Sequence, residues 1–193
     1  MENVRSFIQS YASLTDEEWN ILLSRTVIYR LKAGDFLITE GKVCTVMGFV
    51  ESGILRTYYL DKAGKERSMF FHFEKTPISD FESYVRKSPS KCNIQAITDS
   101  VIYTINYEER EYLMDNYHVF ESIIRKMVER FYIFMSDRLR DFVFLSAEER
   151  YLKLIEKRPD IFQKLPLGYI SEYINIKPQS LSRIRKKLAK RII

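Results

Sequence analysis

Gln179, Ser180 and Arg183 stand at a spacing that groups them near one end of a single helical face. An amide of this kind can pair bidentately with adenine and a guanidinium with guanine, each worth about 1–3 kcal/mol of base discrimination. Lys177, Lys186, Lys187 and Lys190 flank them. Lysines suit phosphate oxygens, which position a protein on a duplex without carrying sequence information. From Lys177 to the end the chain has seven basic side chains and no acidic one. The net charge is +5 overall, but residues 145–193 hold 12 Lys and Arg against 5 Asp and Glu, while the remainder is slightly acidic. A basic balance confined to one end suggests a polyanionic partner, double-stranded nucleic acid before an anionic membrane.

The elements that must position these residues can be read around them. In YISEYINIKPQSLSRIRKKLAK, the apolar Ile170, Ile174, Ile176, Leu181 and Ile184 fall where two helices of a helix-turn-helix touch. Position 171, at the crossing, is a small Ser. Asn175 falls at the turn, where left-handed backbone is needed and Asn is the best-tolerated residue after Gly. Pro178 suits the first position of the second helix, where a missing N–H costs nothing. The inward face of that helix has small aliphatic residues and no aromatic anchor, which argues against a membrane-surface helix.

Other chemistry is poorly supplied. The two histidines stand apart: His72 lies inside the aromatic run FFHF and reads as structural, and His118 precedes a long helical stretch as a surface or capping residue. No nucleophile elbow, P-loop or metal-binding His pair occurs, so the chain is not expected to be an enzyme or to hold a metal. Cys44 and Cys92 are too few for a disulfide framework or an iron–sulfur site and read as buried thiols. No apolar run reaches the roughly 18–20 residues of a membrane span, and MENVRSFIQSY has no signal-type apolar region, so a cytoplasmic location is expected.

Thr15 and Glu18 form a capping box ahead of a short amphipathic helix carrying Trp19, Leu22 and Leu23. Seven β-rich runs follow: TVIYRL, FLITE, VMGFVESG, ILRTYYL, ERSMFFHF, CNIQAI and SVIYTI, separated by Gly-, Asp- and Ser-bearing turns. Strands this short, at about ten-residue spacing, predict a compact antiparallel barrel or roll. Beyond Tyr107 the period becomes helical. Over about residues 118–142 an apolar stripe runs through Ile124, Met127, Phe131, Phe134 and Met135 without a Gly or Pro. Part of it can lie on the roll, and the rest suits the same helix of a second chain, giving a homodimer. Ser146 and Glu149 form a second capping box, which places a boundary between a sensor domain (1–144) and a DNA-binding domain (145–193).

The run LKAGDFLITEGKVCTVMGFVESGILRTYYLDKAGKE resembles the opening of the cyclic-nucleotide-binding β-roll of the Crp/Fnr transcription regulators, with Gly34, Gly41 and Gly53 on that family's turn glycines. The order of roll, long helix and helix-turn-helix is also that family's order. The resemblance implies an α+β fold: an antiparallel β-roll (a double-stranded β-helix), a long dimerisation helix and a C-terminal helical domain. It implies a dimer that binds a near-palindromic DNA site and answers to an effector in the roll through a hinge near residues 144–146, with RNA polymerase as a further candidate partner.

The departures bear on the effector. Cyclic-AMP binders of the family carry a Gly-Glu pair and, some ten residues on, an Arg that grips the phosphate. Here Ser79 and Asp80 stand at the first place, and Ser90 or Lys91 at the second. Without the bidentate guanidinium, cyclic AMP is not the expected ligand, and Ser79, Asp80, Ser90 and Lys91 become the candidate lining for an unidentified effector. The family's oxygen-sensing cysteine cluster has no counterpart among the two cysteines. The competing reading keeps the same fold but has it act through protein partners, with the basic helices docking an acidic protein rather than DNA.

Overall fold

A computed structural model describes residues 2–189. Lys190, one of the lysines expected at phosphates, therefore lies outside the described residues. Helices α1 (Glu2–Gln9) and α2 (Asp16–Ser24) precede the strands β1 (Val27–Leu31), β2 (Phe36–Ile38), β3 (Val46–Ser52), β4 (Leu55–Leu60), β5 (Glu66–His72), β6 (Pro77–Ile78), β7 (Asn93–Ala96) and β8 (Ser100–Asn106). A short helix α3 (Phe81–Arg86) interrupts them after β6. The remaining helices are α4 (Tyr107–Asn116), α5 (His118–Phe144), α6 (Ala147–Lys157), α7 (Ile161–Lys164), α8 (Leu167–Tyr173) and α9 (Pro178–Ala189).

The strands form two antiparallel sheets, ordered β1-β8-β3-β6 and β2-β7-β4-β5. They make a roll and not a closed barrel. All seven expected runs are strands, and Gly34, Gly41 and Gly53 all have positive φ. At Gly53 two demands coincide: φ is +93°, and a Cβ would stand 2.2 Å from Ser100 Oγ and 2.5 Å from the Asp99 carbonyl. No side chain fits that turn between β3 and β4.

The roll interior is built from residues that both sheets bury completely, among them Val50, Leu55, Ile94 and Ile102. It is closed by Leu113 of α4 and by Phe120, Ile123 and Met127 of α5. Met127 is thus 8% exposed and spent on its own chain's core, so it is not available to the helix seam where the periodicity had placed it. Both expected capping boxes are present. Thr15 Oγ1 accepts from the Glu18 N–H, and Ser146 Oγ from that of Glu149.

A second apolar cluster joins the two halves. Ile54 and Phe73, from the edge of the roll, are buried together with Tyr151, Ile161, Leu165, Ile170, Ile174 and Leu181 of the C-terminal helices. The C-terminal helices therefore share a core with the roll.

Candidate nucleic-acid interface

Helices α8 and α9 cross at Ser171, which is completely buried and satisfies its hydroxyl by donating to the Gly168 carbonyl at 2.8 Å. A larger side chain would force the two helices apart. Asn175 takes the left-handed conformation, with φ +55°. Its N–H donates to the Glu172 carbonyl and that of Ile176 to the Ser171 carbonyl, both at 2.9 Å. These are the two bonds of a Schellman turn, which stops α8 and aims the chain into α9. Leu181 is buried, and Ile176, Ile184 and Leu188 pack beside it.

The opposite face of α9 is open. Gln179 and Arg183 are exposed and Ser180 is half-buried near the helix start, with Lys177 and Lys186 exposed alongside. None of these five side chains makes an ion pair among the described residues. Lys187 differs, because its ammonium pairs with Glu148 of α6 at 2.6 Å and braces α9 against the first helix of this half. Arg185 lies over the Phe162 ring, 4.9 Å from its centre. The base-reading candidates thus fall together on one surface.

The candidate effector residues are not gathered in the same way. Lys91 points to solvent, where it pairs with Glu82 at 3.2 Å. The Ser90 hydroxyl is spent on backbone, donating to the Cys92 carbonyl and accepting from the Cys92 N–H. Ser79 Oγ donates to the Val46 carbonyl at 3.0 Å. Asp80 caps α3 by accepting from the Ser83 N–H, and with Tyr59 it flanks the Cys92 thiol. Burial and the Asp80 charge push that thiol up to about 12, so it stays protonated and unreactive. A carboxylate beside a neutral thiol, with Lys91 turned away, does not fit the phosphate of a cyclic nucleotide.

His72 faces the same interior. Because a carbonyl can only accept, Nδ1 carries the proton and donates to the Pro77 carbonyl at 3.0 Å. Nε2 then accepts from Thr57 Oγ1 at 2.8 Å. Burial holds the ring down to about 4, so it is neutral at physiological pH, as a structural histidine should be. Beside it Phe70 packs on Phe131 and Phe134 of α5, with ring centres 6.1 and 6.2 Å apart.

A contact that sequence reasoning missed ties α8 to the roll. Arg56 of β4 is 1% exposed and lies between the rings of Tyr58, at 4.2 Å, and Tyr169, at 3.8 Å. Its guanidinium pairs with Glu66 at 2.5 Å and approaches Glu172 of α8 at 4.0 Å. Glu172 also accepts from the Ser68 N–H at 3.3 Å and the Ser68 hydroxyl at 2.8 Å. The sequence signal was an arginine in an outward position of a strand, shortly before the pair Tyr58-Tyr59, which a surface residue would give equally well.

Residues 29–117 match the family described as "Cyclic nucleotide-binding domain". Among solved structures, a Crp/Fnr-family transcriptional regulator from Eubacterium rectale superposes with a TM-score of 0.72 at 14% identity, covering 96% of this chain and 88% of that one. FixK2 from Bradyrhizobium japonicum gives 0.72 at 15% identity, covering 87% and 86%. The catabolite activator protein of Thermus thermophilus gives 0.60 at 18% identity, covering 94% and 86%. The described residues therefore share the fold of these Crp/Fnr structures, with a β-roll followed by the long helix and the C-terminal helices. No curated protein sequence matches it. No helix among the described residues is long and apolar enough to cross a membrane.

Proposed function

We infer that the chain is a DNA-binding transcription regulator of the Crp/Fnr type that acts as a homodimer. The observation that carries this reading is the α8–α9 pair: a buried serine, a Schellman turn on a left-handed Asn175, and exposed Gln179 and Arg183 with half-buried Ser180 beside lysines that have no ion-pair partner among the described residues. In this role Gln179 and Arg183 read base edges while Lys177 and Lys186 hold phosphates. The roll serves as a regulatory domain rather than an enzyme, and its ligand is something other than a cyclic phosphate.

The outward face of α5 supports the dimer. Val128, Tyr132, Met135, Leu139 and Val143 recur at three- and four-residue steps, and Tyr132, Leu139 and Val143 are 72%, 66% and 64% exposed. Such a stripe is the seam of two paired helices. Phe131 and Phe134 border it, each with one face already on Phe70.

Selection of bound sequences from random duplexes tests the reading. The expected product is a near-palindrome with half-sites about 34 Å apart, and an Arg183→Ala chain that keeps its dimer but loses the preference at one base position. The logarithm of affinity should fall with that of salt concentration by about 0.9 per phosphate contact. Duplex binding that is absent or indifferent to salt would replace DNA with a protein partner.

A further inference from the structure

We propose that the cleft between α5, α6 and α8 is a binding site for a small phosphate-bearing anion, separate from both the roll interior and the DNA-reading face. The cleft has a volume of about 80 Å³. That is room for two or three waters, or for one phosphate group.

Its charges are unbalanced in one direction. Of the carboxylates at its wall, Asp141 is held by Lys153 at 2.6 Å, and Asp137 is paired with Arg140. Three cations remain: Arg138, Arg150 and Lys157, none with a carboxylate within 4.0 Å among the described residues. The two guanidiniums face the ring of Phe142, at 5.0 and 5.4 Å. Each has so far found only neutral acceptors. Arg138 donates to the Tyr173 carbonyl at 2.9 Å, and Arg150 to the carbonyls of Ile174 and Leu145. Arg138 Nε is buried with no acceptor among the described residues, and burial pulls this guanidinium below its ordinary value. Two planar, partly desolvated guanidiniums with donors to spare favour a tetrahedral oxyanion over chloride, because each can offer a fork of N–H groups to two oxygens.

The position gives binding a consequence. Arg138 belongs to α5 and Arg150 to α6, on opposite sides of the bend at residues 145–146. An anion held by both would fix the angle at which the C-terminal helices leave the long helix. That consequence rests on the DNA-binding reading above, whereas the binding itself does not.

The test uses the full ¹⁵N-labelled chain without DNA, titrated with inorganic phosphate against chloride at matched ionic strength, and follows the arginine Nε–Hε resonances. The expected result is a saturable shift of Arg138 and Arg150 with phosphate only, its midpoint in the millimolar range, weakened about tenfold in the exposed Lys157→Gln variant. Glycerol phosphate reproducing the shift would extend the ligand to phosphate monoesters, and its failure would restrict it to the free ion. A shift that never saturates and is shared by exposed Arg183 would be general screening, and would overturn the proposal. In a second titration of the same chain with a duplex oligonucleotide, resonances that respond to the duplex but had not responded to phosphate would also overturn it, since the cleft would then bind the DNA backbone.

Discussion

Glu172→Ala removes the carboxylate through which α8 grips the roll. Three groups lose a partner: the Ser68 N–H, the Ser68 hydroxyl, and the Arg56 guanidinium at 4.0 Å. Hydrogen bonds to a charged acceptor are worth about 1.5–3 kcal/mol each, and breaking a fully buried ion pair costs about 3–5 kcal/mol. The sum overstates the effect, because Arg56 keeps Glu66 and the two tyrosine rings, and Glu172 is itself 17% exposed. A net loss of about 2–3 kcal/mol follows. Glu66→Gln removes a partner whose side chain is 43% exposed, so the loss there should be about 1 kcal/mol or less despite the shorter contact. Urea denaturation at fixed protein concentration would measure both, since any dimer makes apparent stability depend on concentration. The same change should speed proteolytic cleavage near Phe144, because the C-terminal helices detach from the roll before either half unfolds. A double-mutant cycle with Arg56→Met should show coupling of about 1 kcal/mol. Glu172→Ala within 0.5 kcal/mol of the parent, with additive behaviour in the cycle, would refute the claim that this cluster holds the halves together.

The remaining expectations are simpler. The unfolded chain takes up a proton at His72 near pH 6.5, but the buried ring refuses it until about 4. Stability present above pH 6.5 should therefore be lost as pH falls toward 4, by up to about 1.4 kcal/mol per unit, and His72→Gln should flatten that limb of a pH–stability curve. Asn175→Gly should be neutral or stabilising and Asn175→Ala should cost about 1 kcal/mol, a reversal of the usual ranking that thermal melts would register. Leu139→Glu should convert dimers to monomers in sedimentation while leaving the far-UV circular dichroism unchanged, and a dimer that survives it would move the seam elsewhere on α5.

What was legible in the sequence followed from how local the determining physics is. The turn glycines, the two capping boxes and the Asn175 turn depend on a few adjacent residues, and each is found where its pattern put it. The long helix was legible as an element, but not in how it divides its stripe. Periodicity counts Met127 and Phe131 as equals, although one is sealed under the roll and the other is 44% exposed. Strand β6, two residues long and begun by a proline, and helix α3, with six residues, are too short to show a period. Arg56 and Glu172 lie 116 positions apart, and nothing in either neighbourhood announces the other. Lys91 was assigned by its position in a family pattern. Its direction depends on Glu82, which offers it a surface partner.

The strand that links the two halves shows why such a contact escapes pattern reading. Along β5, strict alternation would put Ser68, Phe70 and His72 on one face. The pairing with β4 slips between Thr57 and Tyr58, so that Thr57 lies opposite Phe70 while Tyr58 lies opposite Ser68. The extra residue, Met69, is a β-bulge, and it inverts the faces on either side of it. Ser68 therefore faces out to Glu172 of α8, whereas Phe70 and His72 face in, toward Phe131, Phe134 and Thr57. Phe71, on the outward side again, packs against Tyr173 at 5.2 Å. One strand thus carries the long helix on its inner face and the first helix of the α8–α9 pair on its outer face. The two faces are rigidly related through a single hydrogen-bonded backbone, so a displacement of β5 produced from inside the roll cannot move one helix contact and spare the other.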